Sequence, residues 1–235
     1  MNHRQNIVLI PAAGSGSRFG AAKPKQYIEI NGKTVLQHTV DIFERQPQIA
    51  RIAVIVSPDC AAEFARFQTA SAKTQIFAVG GDTRAQTVKN GVDTLLAQGL
   101  AQPDDNILVH DAARCCLPPE ALQRLLATAA DRPEGGILAV PVADTLKRGQ
   151  SGAIAATVDR SGLWQAQTPQ LFRAALLRQA LSVSDLNGIT DEASAVEKLG
   201  VRPLLVAGDI RNLKLTLPQD EYLVRLLLNA AEQAV

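Results

Sequence analysis

Little in this chain of 235 residues marks it for an oxidising compartment, a metal centre or a membrane. It has three cysteines, Cys60 and the adjacent Cys115 and Cys116. An odd count with no C-x-x-C excludes a disulfide framework of the secreted kind. The three histidines, His3, His38 and His110, have no metal-ligand spacing, which argues against a zinc site. Neither charge is in excess: 24 Lys+Arg stand against 23 Asp+Glu, a formal net charge of +1. No global positive field is available to hold duplex nucleic acid, and any anion site must be local. The apolar run Ile7–Ile10 ends at Pro11 and glycines, and no later run approaches the ~20 residues of a membrane span. The expected setting is a reducing cytoplasm, without membrane or nucleic acid as partner.

What is present is a sizeable apolar fraction, 46%, in short β-rich runs that alternate with helical patterns. That alternation predicts an α/β protein with a mostly parallel sheet flanked by helices. Expected strands are Asn6–Ile10, Arg51–Val56, Gln75–Val79, Asn106–Val109, Gly136–Val140, Val201–Val206 and Asn212–Leu217. Expected helices are Val35–Glu44, Ala61–Gln68, Arg84–Ala97, Pro119–Ala130, Arg173–Leu181, Glu192–Leu199 and Pro218–Ala234. Asp82 suits a cap for the third helix and Thr190–Glu192 a start for the sixth. Leu223, Leu226 and Leu227 read as a core-facing stripe. One stretch, Pro141 to Thr168, breaks the alternation with β-type runs around Gly149–Gly152. It reads as a hairpin arm with too little apolar mass for its own core, packing on something else, such as a second subunit. One domain spanning 1–235, with an arm at about 141–168, is the economical organisation.

The most informative segment is IVLIPAAGSGSRFGAAKPKQY (Ile7–Tyr27). A buried strand runs into a loop with Gly14, Gly16 and Gly20 and the cations Arg18, Lys23 and Lys25. Such a loop can turn backbone N–H groups onto a phosphate at the carboxyl end of a strand. The dinucleotide fingerprint G-x-G-x-x-G fails, because Phe19 holds the third glycine's place. Gly32-Lys33-Thr34 lacks the first glycine of a Walker A loop, where Tyr27 stands, and Asn31-Gly32 reads better as a tight turn.

With its other motifs added, the chain resembles the 2-C-methyl-D-erythritol 4-phosphate cytidylyltransferases of the non-mevalonate isoprenoid pathway. The matching stretches are PAAGSGSRFG (Pro11–Gly20), PKQY (Pro24–Tyr27), GGDTRAQTV (Gly80–Val88), VHDAAR (Val109–Arg114) and PVADTLKR (Pro141–Arg148). They continue with TVDRSGLWQAQTPQ (Thr157–Gln170), ITDEAS (Ile189–Ser194) and NLKLT (Asn212–Thr216), in the family's order over nearly the whole chain. Cys115 departs from the usual proline, Thr87 from a common serine, and Ser17 from a residue that is basic in some relatives.

The resemblance implies a Rossmann-like nucleotidyltransferase fold and transfer of CMP from CTP to methylerythritol phosphate, with Mg²⁺ as cofactor and a homodimer formed through the arm. Catalysis would fall to Arg18, Lys25, Arg160 and Lys214. The nucleotide would meet Ala12, Ala13, Gly14, Ser15, Gly16, Gly80, Gly81, Asp82 and Thr87. The acceptor would meet Asp111, Arg114, Thr145, Arg160, Thr168 and Lys214, with Asp111 also the metal ligand. Arg160 and Thr145 would act in the partner's site. Plainer readings stand beside these. Asp111 suits a turn or helix cap, or an ion pair with Arg114; Lys25 and Arg160 suit solvated cations; Lys214 suits an edge lysine. His110 is expected to orient the Asp111 loop, Trp164 to anchor the arm, and Cys115 and Cys116 to pack. Other polyol phosphates, such as ribitol phosphate, and a nucleotide-binding regulator without turnover are the rival functions.

Overall fold

Strand β1 (Asn6–Pro11) has no solvent-facing side. Ile7 and Leu9 enter one apolar cluster, while Val8 and Ile10 enter another on the opposite face. Side chains alternate along a strand, so a run apolar at every position needs cover on both faces. The computed structural model describes residues 4–14, 24–60, 72–183, 186 and 188–233. The other strands are β2 (Glu29–Ile30), β3 (Lys33–Thr34), β4 (Arg51–Ile55), β5 (Thr74–Phe77), β6 (Asn106–Val109), β7 (Gly136–Pro141), β8 (Leu146–Gln150), β9 (Ala153–Val158), β10 (Trp164–Arg173) and β11 (Leu204–Ala207). Seven of them form one sheet in the order β11-β7-β10-β6-β1-β4-β5, parallel except for β10.

Helices α1 (Val35–Glu44) and α3 (Pro119–Ala129) cover one face, and α2 (Arg84–Ala97), α4 (Ala174–Ala180) and α5 (Glu192–Glu197) cover the other. Helix α6 (Asp220–Gln233) packs on a third cluster with Ile30, Val35, Ala113, Cys115 and Leu215. Among the described residues no helix is long and apolar enough to cross a membrane.

Several expectations change. The helix expected at Ala61–Gln68 lies outside the described residues. The third helix is capped by Thr83, whose side chain accepts from Gln86 N–H, and not by Asp82. Asn212–Leu217 is extended but forms no strand; its Leu215 N–H bonds the Ala113 carbonyl at 2.9 Å and its Asn212 carbonyl goes to Arg114. The leucine stripe is turned outward. Val224 and Leu228 face the core, whereas Leu223 and Leu226 are about half exposed, at 51% and 48%. The helix begins only at Asp220, whose carboxylate accepts from Thr216 and Leu217 N–H, so Pro218 precedes it.

The arm is a separate two-stranded sheet, β8 with β9, closed by Ser151 and Gly152 at positive φ. Such a turn matches the twist of a hairpin, as does Asn31-Gly32 between β2 and β3. Beyond the arm the chain returns as β10, ten residues long, wedged antiparallel between β7 and β6. A strand with a proline at Pro169 reads poorly as a central one. The proline is accommodated because the register shifts between Ala166 and Gln170.

Candidate active site

A cleft of about 440 Å³ opens at the carboxyl ends of β1 and β6, the edge at which open α/β sheets take ligands. Ala12, Ala13 and Gly14 form one lip, Gly81, Asp82 and Thr87 another, and Lys25, Asp111 and Lys214 also line it. Arg18, Ser15 and Gly16 lie outside the described residues.

The first lip is held from behind. The buried Gln26 donates from Nε2 to the carbonyls of Ala12 and Gly14, at 3.1 and 2.7 Å, and Tyr27 donates its hydroxyl to Ala12 at 3.3 Å. Two side chains next to Lys25 thereby occupy loop carbonyls that would otherwise repel an anion. Sequence reasoning singled out Lys25 in PKQY and missed Gln26.

The second lip presses on the first. A Cβ at Gly80 would lie 2.4 Å from that of Ala13 and 2.7 Å from the Val56 carbonyl, so no other residue fits there. Thr87 is 2% exposed. Its Oγ1 accepts from Gly81 N–H at 3.2 Å and donates to the Thr83 carbonyl at 2.9 Å. Its hydroxyl therefore braces the loop.

Asp111 is the electrostatic centre. Its Oδ1 accepts from Arg84 Nε at 3.0 Å, and its Oδ2 meets Lys214 Nζ at 2.8 Å and Arg114 Nε at 3.4 Å. Burial works against the carboxylate, but Arg84, Lys214 and Arg114 outweigh it and hold the group well below the usual carboxylate range. Arg84 also grips Glu192, with Nη1–Oε1 at 2.6 Å and Nη2–Oε2 at 3.0 Å. Burial opposes its charge, yet the two carboxylates raise its pKa. Burial lowers that of Arg114, against the pull of Asp111.

Both Asp111 oxygens are thus engaged by cations. This donor set does not fit a resident Mg²⁺, which seeks uncompensated oxygens.

A second network sets the loop behind Asp111. The Asp111 N–H donates to Thr168 Oγ1 at 3.0 Å, and that hydroxyl lies 3.0 Å from His110 Nδ1. His110 Nε2 lies 3.0 Å from the Arg114 carbonyl. A carbonyl can only accept, so the imidazole proton is on Nε2 and the Thr168 hydroxyl donates to Nδ1. Thr168 is buried and its hydroxyl turned inward, where it positions Asp111. Thr145 and Arg160 are exposed on the arm and do not line this cleft. Trp164, 40% exposed, pairs with Pro141 at the arm's base. Cys115 is buried in the third cluster beside Cys116, a packing position.

Burial pushes His110 down to about 4 from an ordinary 6.5. The unfolded chain then binds a proton that the folded chain excludes, so this contribution is complete above pH 6.5 and lost progressively toward pH 4. Urea unfolding across that range should show stability falling by up to about 1.4 kcal/mol per pH unit on acidification. A flat profile from pH 6.5 to pH 4.5 would contradict a neutral buried His110.

Comparison with known proteins places this architecture. The family model for 2-C-methyl-D-erythritol 4-phosphate cytidylyltransferase matches residues 6–230. A Neisseria gonorrhoeae protein of that name is 67% identical over 228 residues, 97% of this chain and 99% of the relative. One from Chromobacterium violaceum is 50% identical over the same coverage. A crystal structure of a 4-diphosphocytidyl-2C-methyl-D-erythritol synthase superposes with a TM-score of 0.88 at 61% identity, covering 97% of this chain and 100% of that one. The Francisella tularensis cytidylyltransferase gives 0.80 at 31% identity, covering 95% and 99%.

Proposed function

From the premise that the chain belongs to the 2-C-methyl-D-erythritol 4-phosphate cytidylyltransferase family, we infer that it transfers CMP from CTP to methylerythritol phosphate. The products are 4-diphosphocytidyl-2-C-methyl-D-erythritol and pyrophosphate. An acceptor phosphate oxygen attacks the α-phosphorus; the new P–O bond forms as the bond to the β-phosphate oxygen breaks, and the electron pair leaves with pyrophosphate. A phosphomonoester is already anionic near neutral pH, its second pKa being about 6, so no protein base is required. The task is to hold two anions in line and to stabilise charge moving onto the leaving group.

The observation that carries this reading is the placement of cations around the cleft, with Lys25 and Lys214 both in its wall and Arg114 beside Asp111. We assign Lys25, with Arg18, to the triphosphate and the transition state. Lys214 gathers the acceptor phosphate from the Asp111 side, and Arg114, bonded to Asp111 and to the Asn212 carbonyl and outside the cleft lining, stands behind it. Ala12–Gly16 and Gly80–Asp82 offer backbone to the nucleotide. Arg160 and Thr145 reach the site from the arm of a second copy. The arm supports this: Ile154 is 68% exposed on it, and an isolated two-stranded hairpin is marginal in water. A cytoplasmic setting suits the free thiols of Cys115 and Cys116.

Pyrophosphate release from CTP, measured with methylerythritol phosphate, ribitol phosphate and several sugar 1-phosphates, tests the reading. Release should depend on methylerythritol phosphate. Dependence on another acceptor would reassign the substrate, and CTP binding with no release would leave a nucleotide-binding regulator.

Magnesium enters this scheme as part of the substrate, MgCTP. EDTA should abolish turnover, and Mg²⁺ should restore it in proportion to CTP. Calorimetry of Mg²⁺ against the protein alone should give no heat at micromolar metal. Stoichiometric binding without nucleotide would restore Asp111 as a metal ligand.

A further inference from the structure

Glu192 is the most buried carboxylate beside the cleft, at 1% exposure, and the reaction as derived gives it no task. Its place as the first residue of α5 would suit an acidic helix start, but such groups face water, and this one faces Arg84. A buried carboxylate persists only where a counter-charge compensates it. Arg84 does so with both terminal nitrogens, while its Nε turns to Asp111.

The platform beneath Glu192 is rigid. Asp191 and Ser194 form a capping box. Gln170 of β10, 1% exposed, donates to Asp191 Oδ2 and accepts from Ala193 N–H, each at 2.8 Å. The antiparallel strand thus fixes the start of α5, which fixes Glu192, which fixes the Arg84 guanidinium.

We propose that the buried Glu192 and the half-buried Arg84 in the cleft wall are a positioning pair that orients the Asp111 carboxylate, so that its other oxygen holds Lys214 at the acceptor side of the cleft. The pair deepens the functional reading above and rests on it. Arg84 also lines the cleft, with its side chain 28% exposed, but two carboxylates take its charge; Lys214, 39% exposed and held by Asp111 alone, is the more open cation on that side. Only arginine can serve, because a lysine ammonium cannot offer a fork to one carboxylate and a third fixed N–H to another.

The test compares Glu192→Gln, Arg84→Lys and their double variant with the parent enzyme in the pyrophosphate assay. Each single change should lower kcat/KM for methylerythritol phosphate on the order of 100-fold, the scale of a small misplacement, while KM for CTP stays within about threefold. The double variant should be no worse than the more severe single one, because the two residues act as a unit. Guanidinium added to Arg84→Ala should restore part of the activity with Glu192 present, but none in the Glu192→Gln background. Should Glu192→Gln not fold, Glu192→Asp takes its place, keeping the charge but withdrawing it by one methylene. Near-parental kinetics in the single variants would overturn the proposal. So would multiplicative losses, or rescue that ignores Glu192, since Arg84 would then meet substrate itself. Absence of release by the parent would instead remove the functional reading, and the pair's role with it.

Discussion

An Asp111→Asn enzyme is expected to lose turnover by at least about two orders of magnitude and to lose about 3–5 kcal/mol of stability at pH 7. The substitution preserves shape, so the effect reports the lost charge together with one acceptor turned donor. In the parent, one carboxylate compensates Arg84, Lys214 and Arg114, with Glu192 sharing Arg84. An asparagine leaves these cations with Glu192 alone and turns an N–H₂ group toward one set of donors. Leaving charges buried and unpaired costs more than the pair itself contributes. A loss of that size is a large part of the roughly 5–15 kcal/mol that holds a domain folded. Lys214, released from Oδ2, also loses its fixed place in the cleft, and preorganised charge is the main resource of a phosphoryl-transfer site.

The pH dependence gives an independent check. Burial opposes ionisation of Asp111, but its three cationic neighbours prevail and depress its folded pKa below the unfolded value near 3.8. Its stabilisation is therefore present above pH 3.8 and lost as pH falls toward the folded pKa. The gap between parent and variant should stay constant from pH 7 to about pH 5 in urea titrations, because His110 titrates in both proteins, and should narrow only in stronger acid. A variant with parental urea midpoints at pH 7, or a rate within threefold of the parent, would end the case for Asp111 as the site's compensating anion.

The end of this cleft proposed for the nucleotide was legible as a loop at a sheet edge because its requirements are local. Ala12–Gly14 follow an apolar strand directly, which sufficed to place them at the carboxyl edge of a sheet, whereas Gly80–Gly81 were placed by the family resemblance. The charge network behind Asp111 was not legible in the same way. Arg84 meets Asp111 across 27 positions and Glu192 across 108. Hydropathy periodicity says which face of a helix is buried, but not which partner lies across it. Both residues stood inside quoted motifs, GGDTRAQTV and ITDEAS, and there a helix start explained Glu192 without its partner. The same limit hid β10: Pro169 reads as a breaker until a register shift between β7 and β10 accommodates it. The outward turn of Leu223 and Leu226 arose from phase. Moving the helix start past Pro218 and seating Val224 and Leu228 on the core rotates the neighbouring leucines toward solvent.

Lys25→Ala and Arg160→Ala should each reduce kcat/KM for the acceptor by two orders of magnitude or more, yet an equal mixture of the two chains should recover activity, because the proposed site draws Lys25 from one protomer and Arg160 from the other. Lys25 lines the cleft of its own chain, whereas no residue of the exposed arm does. An arginine on a water-exposed hairpin can bind substrate only where the hairpin lies against a site. In a two-fold dimer each protomer then offers its arm to its partner, and the exchange is reciprocal. Random re-association gives half mixed dimers, each with one intact site and one site lacking both cations, so the recovered rate should approach about a quarter of the parent's. The two losses should also differ in kind. Lys25→Ala removes stabilisation from the triphosphate and lowers kcat, whereas Arg160→Ala removes a hold on the acceptor and raises its KM while CTP binding persists. Denaturing and refolding the chains together, followed by the pyrophosphate assay, reads the outcome. Parental activity in the single variants would remove their assigned roles. Recovery no greater than the sum of the separately refolded variants would place Arg160 in its own protomer's site and dismiss the shared one.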